Sequence, residues 1–470
     1  MRLSINHALK ALGSSLALEK DLIIEGGCID SRKASQGSLF IALPGESTDG
    51  HNFVDQALKA GAVAALIEKP IESAYPVVDL ARSETLPQAA PFSLLVPNAL
   101  EALQQIAAYW RAQFDLKVIG VTGSVGKTST KELTASVLSH RFFTLKNEGN
   151  LNNEIGLPLT LLRLTDEHEA AVLEMGFYVP GEIKLLCDIA RPQIGVVTNI
   201  GTVHAERAGS IDAIREGKSE LVQALPAAPK GIAILNQDDP NVLAMREQTA
   251  ARVFTYGLDP AADLWADEVE SMGLEGIRCR MHYGEEVNYL TAPLIGRHSV
   301  YTMLRAASVG LVLGMSWDWI FHALKNTPER LRIVTTRTAT GALLIDDTYN
   351  ANPQSVVAAL NLLQDLSGRK VAVLGDMLEL GRYEEDGHQL VGARAAEVAD
   401  ELVLIGERSA ITRSAALRSG FSPQRAHWFA RKEDAQAYLL ETLKAGDVVL
   451  IKGSNGLHLD TVVAALEVTQ

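Results

Sequence analysis

Gly120-Val121-Thr122-Gly123-Ser124-Val125-Gly126-Lys127-Thr128-Ser129 is the stretch whose reading decides the fold. The apolar run Leu116 to Val121 predicts a buried strand, and Thr130 to His140 predicts a helix. A strand, a glycine loop and Lys-Thr at a helix start form a phosphate cradle. Gly123 and Gly126 let backbone N–H groups turn inward, and the helix N-terminus adds its positive dipole end. Gly123, Ser124, Val125, Gly126, Lys127, Thr128 and Ser129 are therefore the candidate ATP contacts. Lys127 would bridge the outer phosphates, and the Thr128 hydroxyl would take a place on Mg²⁺. Val121 stands where the pattern G-x-x-x-x-G-K-[ST] has its first glycine. The competing reading is a glycine-rich turn, and the flanking strand and helix weigh against it.

Working outward, 470 residues at about 150 per domain suggest three domains. The apolar content of 47% is ample for their cores. A net charge of −14 argues against nucleic-acid binding through a basic surface, so anionic ligands must be held by local sites. Cys28, Cys187 and Cys279 are scattered, with no disulfide framework or metal spacing, which points to a reducing cytoplasm. No apolar run approaches the ~20 residues of a membrane span, so membrane insertion is not expected. Ser4 to Leu12 predicts a short capped helix rather than a signal peptide.

Residues 1–85 form the first expected unit. Its strands are Ser38–Leu43 and Ala62–Ile67, with a helix over His51–Ala60. Two polar segments, Asp30-Ser31-Arg32-Lys33 and Gly45 to His51, adjoin these strands. They read equally as binding loops or solvated turns. Prolines at 70, 76, 87, 91 and 97 suggest a linker over 71–97. A second unit, 86–326, opens on an amphipathic helix over Asn98–Phe114 and contains the phosphate loop. A third, 327–470, restarts the α/β alternation near Asn326–Pro328. Alternating strands and helices predict parallel sheets with right-handed crossovers, and ligands at the strand C-terminal ends. Residues 252–292 alternate apolar and polar and predict a small β insertion.

Candidate site residues gather at those ends. Glu174 follows the strand Ala170–Leu173 and is placed as a Mg²⁺ ligand. His204 follows the strand Ile194–Thr198. Asn150, Asn152 and Asn153 sit in an asparagine-rich loop suited to ordering phosphate, water or an amide. Asp346-Asp347 follows Leu343–Ile345, and Lys452 follows Val448–Ile451. Lys218, on a helix over Ser210–Ala224, looks like an ordinary solvated lysine. A G-x-G-x-x-G fingerprint is absent, so a nicotinamide cofactor is not indicated. Together these features indicate phosphoryl transfer from ATP.

The order of motifs resembles the Mur ligase family of peptidoglycan synthesis, and within it the members that add D-alanyl-D-alanine. The match spans nearly the whole chain. Its parts are Asp30-Ser31-Arg32 with Asp49-Gly50-His51, the phosphate loop, Glu174-Met175-Gly176 with Pro180-Gly181-Glu182-Ile183, Asn199-Ile200-Gly201 with His204, and Lys218-Ser219-Glu220. Asp346 to Pro353 and Gly375 to Gly381 complete it. The resemblance implies a small UDP-binding N-terminal α/β domain, a central ATPase-like parallel-sheet domain and a C-terminal Rossmann-like domain. It implies that ATP phosphorylates the terminal carboxylate of a UDP-N-acetylmuramoyl-tripeptide, and that the amine of D-alanyl-D-alanine attacks the acyl phosphate. Lys127, Glu174, His204 and Lys218 become the catalytic set. Thr128, Glu174, His204 and a carbamylated Lys218 would surround Mg²⁺. Arg330 and Asp347 would grip ATP from the C-terminal domain. Ser31, Arg32, Asp49 and His51 would bind the UDP end, with Asn150, Asn152 and Asn153 near the muramoyl peptide. A cytoplasmic monomer that closes its domains is expected.

Three departures stand out. Ser299 and Thr302 occupy places where the family's adenine-side motif has asparagines. Asn455 replaces an arginine, and Phe177-Tyr178-Val179 replaces a more polar segment. Competing readings are a sister ligase adding diaminopimelate or lysine, a folylpolyglutamate- or cyanophycin-type ligase, and a non-catalytic nucleotide-binding subunit. Asn350-Ala351-Asn352-Pro353 stands where the diaminopimelate-adding enzyme has Asp-Asn-Pro-Arg. The presence of Lys127, Glu174 and Lys218 speaks against the non-catalytic subunit.

Overall fold

Three sheets carry the chain, and each turns the C-terminal ends of its parallel strands toward a polar loop cluster. The computed structural model describes residues 2–45, 48–83, 85–87, 89–202, 205–326 and 334–467. His204 and Arg330, both named above as site candidates, lie outside the described residues.

The first sheet runs in the order β1 (Gly26–Cys28), β2 (Ser38–Ile41), β3 (Ala64–Ile67), β5 (Phe92–Leu95), β4 (Val77–Asp79), and all its pairs are parallel. It therefore continues to Leu95, beyond residue 85, and the stretch expected to be a linker supplies two of its strands. The prolines explain why the sequence misleads. Pro76 and Pro91 stand just before β4 and β5, and Pro97 stands after β5, where a missing N–H removes no ladder bond. The expected helix over His51–Ala60 is a 3₁₀ turn, Gly50–Phe53, followed by the helix Val54–Lys59.

The helix Ala99–Arg111 comes next, capped by Asn98, whose side chain accepts from Glu101 N at 2.9 Å. Leu103, Ile106, Ala107 and Trp110 repeat at helical spacing and are fully buried. The Trp110 indole donates to Leu164 O at 3.0 Å, so its one polar atom is satisfied inside the core.

The second sheet has nine strands: β6 (Lys117–Thr122), β7 (Thr144–Lys146), β8 (Ala170–Glu174), β9 (Ile194–Val197), β10 (Ile232–Asn236), β11 (Arg252–Gly257), β12 (Leu264–Ser271), β13 (Ile277–Tyr283) and β14 (Glu286–Ala292). Their order is β14-β13-β12-β11-β10-β9-β6-β8-β7. From β7 to β12 the pairs are parallel, and β12 to β14 form the antiparallel insertion that the alternation over 252–292 predicts. The order reverses between β6 and β9, which makes that junction the place for a ligand. Val118, Ile119 and Val121 of β6 are fully buried because helices cover both faces. Two glycines let one of these helices come close. A Cβ on Gly120 would lie 2.8 Å from Leu221 Cδ1, and one on Gly195 would lie 3.1 Å from Leu221 Cγ. Leu221 lies on the helix Ile211–Gln223, so this approach sets the height of Lys218 beneath the phosphate loop.

The third sheet runs β15 (Val334–Arg337), β16 (Leu343–Asp347), β20 (Asp447–Lys452), β17 (Arg369–Gly375), β18 (Glu401–Ile405), β19 (Ala426–Phe429), with β15 as its antiparallel edge. Two of its closest approaches to the second body are at glycines. A Cβ on Gly201 would lie 2.5 Å from Gln354 Oε1, and one on Gly381 would lie 2.7 Å from Glu206 Cα. No helix among the described residues is long and apolar enough to cross a membrane.

Candidate functional site

Three strand ends lie level in the second sheet. Val121 pairs with Glu174 on one side and Val196 on the other, so the loop leaving β6 emerges between the tips of β8 and β9. The loop has no freedom to sag. A Cβ on Gly123 would sit 1.8 Å from Thr198 Oγ1, and its φ of +142° lies outside the range L side chains favour. Asn199 at the tip of β9 accepts from Ser124 N through its carbonyl and from Val125 N through Oδ1, both at 2.9 Å. The Val125 carbonyl accepts from Thr198 Oγ1 at 2.7 Å and from Asn199 Nδ2 at 3.1 Å. Gly126, at φ +81°, caps the helix Lys127–Ser139. That helix starts three residues earlier than the sequence predicts, so its unpaired first-turn N–H groups open directly onto the loop.

Lys127 folds back over its own loop, donating to Gly123 O at 2.8 Å and Ser124 O at 3.2 Å. Lys218, fully buried, approaches from below and donates to the same Gly123 O at 3.0 Å. Burial lowers the pKa of Lys127, against the opposing pull of Glu174. Burial, then the charge of Lys127, pushes Lys218 well below the usual lysine range. The ring of Phe177 covers the Lys218 amine at 4.6 Å from its centroid.

Glu174 is framed by the asparagine loop. Asn147, fully buried, accepts from Glu174 N at 2.9 Å and donates to Glu174 O at 3.0 Å. Asn152 donates to Glu174 Oε1 at 2.9 Å. Glu174 Oε2 is buried and has no hydrogen-bond partner. Thr128 and Glu174 line the same cleft, and an open buried carboxylate oxygen and a helix-start hydroxyl are hard-oxygen donors that fit Mg²⁺. Among the described residues no group of three or more His, Cys, Asp and Glu forms a metal cage. The donors present thus suit an ion that draws further ligands from phosphate and water. Asn153 Oδ1 accepts from Gly156 N, at the start of the helix Gly156–Leu161, at 2.9 Å. Asn150 and Asn153 both line the cleft.

The far wall belongs to the third sheet. Asp347 and Lys452 are register partners on β16 and β20 and pair at 2.7 Å. Lys452 also donates to Asn350 O at 2.8 Å. Burial raises the Asp347 pKa, and Lys452 opposes it. The cleft enclosed between the two bodies measures about 1450 Å³. On its third side lies the helix Ser299–Val312. Ser299 spends its hydroxyl on Ile295 O at 2.7 Å. Tyr301 donates to Asp238 Oδ2 at 2.8 Å, and Arg305 donates to Thr130 Oγ1 and Tyr256 OH, both at 2.9 Å. Arg305 thereby ties this helix to the phosphate-loop helix.

The structure thus brings the phosphate loop, Glu174, Asp347, Asn150, Asn152 and Asn153 to one cleft, with Lys218 immediately behind it. Ser31, Arg32, Asp49 and His51 are not among the residues lining that cleft; they cluster on the first sheet. Arg32 is exposed and forms a two-bond pair with Asp30, at 2.9 and 2.7 Å. His51 is buried, with Nδ1 on Asp49 Oδ1 at 2.6 Å and Nε2 accepting from Glu68 N at 3.1 Å. Ser31 donates to Gln56 Oε1 at 3.2 Å. Sequence reasoning passed over Asn147, Lys131 and Arg305 as site residues, whereas Lys452 stood among the strand-end candidates. Asn147 carried a signal, as the first asparagine of a loop that must close onto a strand end. Lys131 and Arg305 read as ordinary helical cations.

The chain matches the description "Mur ligase family, catalytic domain" over residues 24–111. It matches "Mur ligase middle domain" over 121–310 and "Mur ligase, glutamate ligase domain" over 329–455. It is 39% identical over 456 residues to the UDP-N-acetylmuramoyl-tripeptide–D-alanyl-D-alanine ligase of Synechocystis, covering 96% of this chain and 93% of that protein. A crystal structure of MurF from Acinetobacter baumannii superposes with a TM-score of 0.86 at 32% identity, covering 99% of each chain. MurF ligase from Thermotoga maritima in complex with ADP superposes with a TM-score of 0.78 at 26% identity, over 94% of this chain and 97% of that one. With its three sheets, its phosphate loop and Glu174 placed as described, the chain belongs to the Mur ligase family, in its UDP-N-acetylmuramoyl-tripeptide–D-alanyl-D-alanine ligase branch.

Proposed function

We propose that this protein is an ATP-dependent amide ligase that joins D-alanyl-D-alanine to UDP-N-acetylmuramoyl-tripeptide through an acyl phosphate. The observation that carries the reading is the single cleft shared by the phosphate loop, Glu174 and the Asp347–Lys452 pair. A carboxylate is a poor acyl donor until one oxygen leaves as phosphate. Two anions, triphosphate and carboxylate, must then be held in contact, which needs fixed positive groups and N–H dipoles. Lys127 and the helix start supply these on the nucleotide side, with Arg305 behind them. Lys452 supplies a cation from the opposite wall. Bound Mg²⁺, held by Thr128, Glu174, His204 and a carbamylated Lys218, would neutralise phosphate charge. Asn152 fixes the Glu174 carboxylate, and Asn150 offers an amide toward the reacting carboxylate. The first sheet takes the UDP end, with the exposed Arg32 guanidinium as its cation. Because the cleft has walls from two bodies, closure of the third sheet over the second excludes water from the acyl phosphate.

The test is phosphate release by the full chain with ATP, Mg²⁺ and UDP-N-acetylmuramoyl-tripeptide, with D-alanyl-D-alanine added or omitted. Dipeptide-dependent release, with a product heavier by one dipeptide, is expected. Turnover only on UDP-muramoyl dipeptide with a diamino acid would overturn the acceptor assignment. Silence on both would overturn the ligase reading.

A further inference from the structure

Lys131 lies one turn past Lys127 on the phosphate-loop helix and is fully buried. Its ammonium stands 3.2 Å from Glu132 Oε1 and 3.8 Å from Glu174 Oε2, and donates to Gly149 O at 3.5 Å. Glu132 is itself paired with Lys146. The charges thus alternate along a line, Lys146, Glu132, Lys131, Glu174, running from the far side of the helix into the cleft. Lys131 can lean toward either carboxylate by a small torsional change, because a lysine ammonium is a point charge on a flexible stem. The oxygen it faces on Glu174 is the one with no hydrogen bond, the same oxygen that fits a divalent cation. Two cations at that oxygen repel each other strongly in so dry a setting.

We propose that Lys131 is a positioning residue that acts as Glu174's own counter-ion and competes with the divalent cation for it. When the cation binds, Lys131 gives up Glu174 and keeps only its pairing with Glu132. Its contact with Gly149 O carries that shift into the asparagine loop that frames Glu174. The proposal rests on the reading of Glu174 as a cation-holding residue.

The experiment measures Mn²⁺ affinity of the full chain at saturating ADP, by electron paramagnetic resonance of the free ion. Four variants are compared with the parent: E174Q, K131M, K131R and E132Q. E174Q is expected to weaken Mn²⁺ binding, and K131M to tighten it at least about tenfold by removing the competitor. K131R keeps the charge and should stay near the parent value. E132Q takes away the alternative partner of Lys131, so Mn²⁺ should bind about threefold or more weakly. A purely structural role for this ion-pair line would weaken binding in both K131M and E132Q, which would overturn the proposal. Binding unmoved by E174Q would overturn the placement of the cation on Glu174, and this inference with it. Should K131M fail to fold, K131Q takes its place: tighter Mn²⁺ binding is expected, and weaker binding overturns the proposal.

Discussion

Lys127 and Lys218 direct their ammonium groups at one carbonyl, Gly123 O, at 2.8 and 3.0 Å. Burial lowers the pKa of both ammonium groups, and the charge of Lys127 lowers that of Lys218, the deeper of the two, further. The neutral amine is the form that takes up carbon dioxide, so of the two lysines Lys218 is the one suited to the proposed carbamate.

Lys218→Ala should lower phosphate release by about 10²-fold or more. Short carboxylic acids such as acetate should restore part of it by entering the space left by the side chain. Absence of rescue, in a variant shown to be folded by circular dichroism, would argue against a carboxylate-like group at this position.

Lys127→Ala should abolish measurable turnover, a loss of about 10³-fold or more, because Lys127 is the one cationic side chain of the loop 123–129. Thermal stability should hold or rise, since a desolvated cation next to Lys218 is removed. Normal activity in this variant would overturn the phosphate-loop assignment.

Gly217 gives room to Phe177: a Cβ there would meet Phe177 Cε2 at 2.0 Å. Gly217→Ala should displace the ring from Lys218 and cost about 1–3 kcal/mol by overpacking. Adding Phe177→Ala should cost less in the Gly217→Ala background than in the parent. Denaturant melts of the four proteins give the coupling, and additive values would mean that the ring had already moved.

Asp49 accepts from His51 N, pairs with Lys69 and holds the His51 imidazole, and these contacts depress its pKa, Lys69 first. A depressed carboxylate adds stability above its unfolded pKa of about 4, and loses it as pH falls from there toward the lower folded value. Asp49→Asn should therefore melt earlier than the parent at pH 7. The gap should narrow steadily below about pH 4 in a series of melting curves.

Gly381 sits at φ +52°, with Glu206 backbone 2.7 Å from where a Cβ would be. Gly381→Ala should push the third sheet off the second body. Solution scattering should show a larger radius of gyration, and turnover should fall about tenfold with the melting temperature little changed.

Much of the central body was legible in the sequence, because β6 is a continuous apolar run and Gly123 and Gly126 punctuate it at fixed offsets. Glu174 and Asp347 were found for a related reason: polar residues at the tips of buried strands have few structural excuses. The first sheet was harder. β1 and β4 are three residues long, too short to show periodicity, and the prolines that mark their ends look like linker signals. Lys131 and Arg305 were invisible, and Lys218 entered only through the family resemblance, for a physical reason. A lysine or arginine on a helix is usually solvated, and only the packing of Leu221 against Gly120 and Gly195, or of the helix Ser299–Val312 against Thr130, shows that these are not. Asn455 and Ser299 lie at the cleft without a contact that explains the change of residue type.

The cations of the cleft already have acceptors within the protein: Lys127 on Gly123 O, Lys131 on Glu132, Lys452 on Asp347. An arriving anion therefore trades places with a protein oxygen rather than filling a bare electrostatic hole. Such an exchange keeps net affinity moderate, because each new contact is offset by one given up. The same internal acceptors are waiting when ADP and phosphate depart, so the cleft resets itself after each cycle instead of clinging to its spent anions.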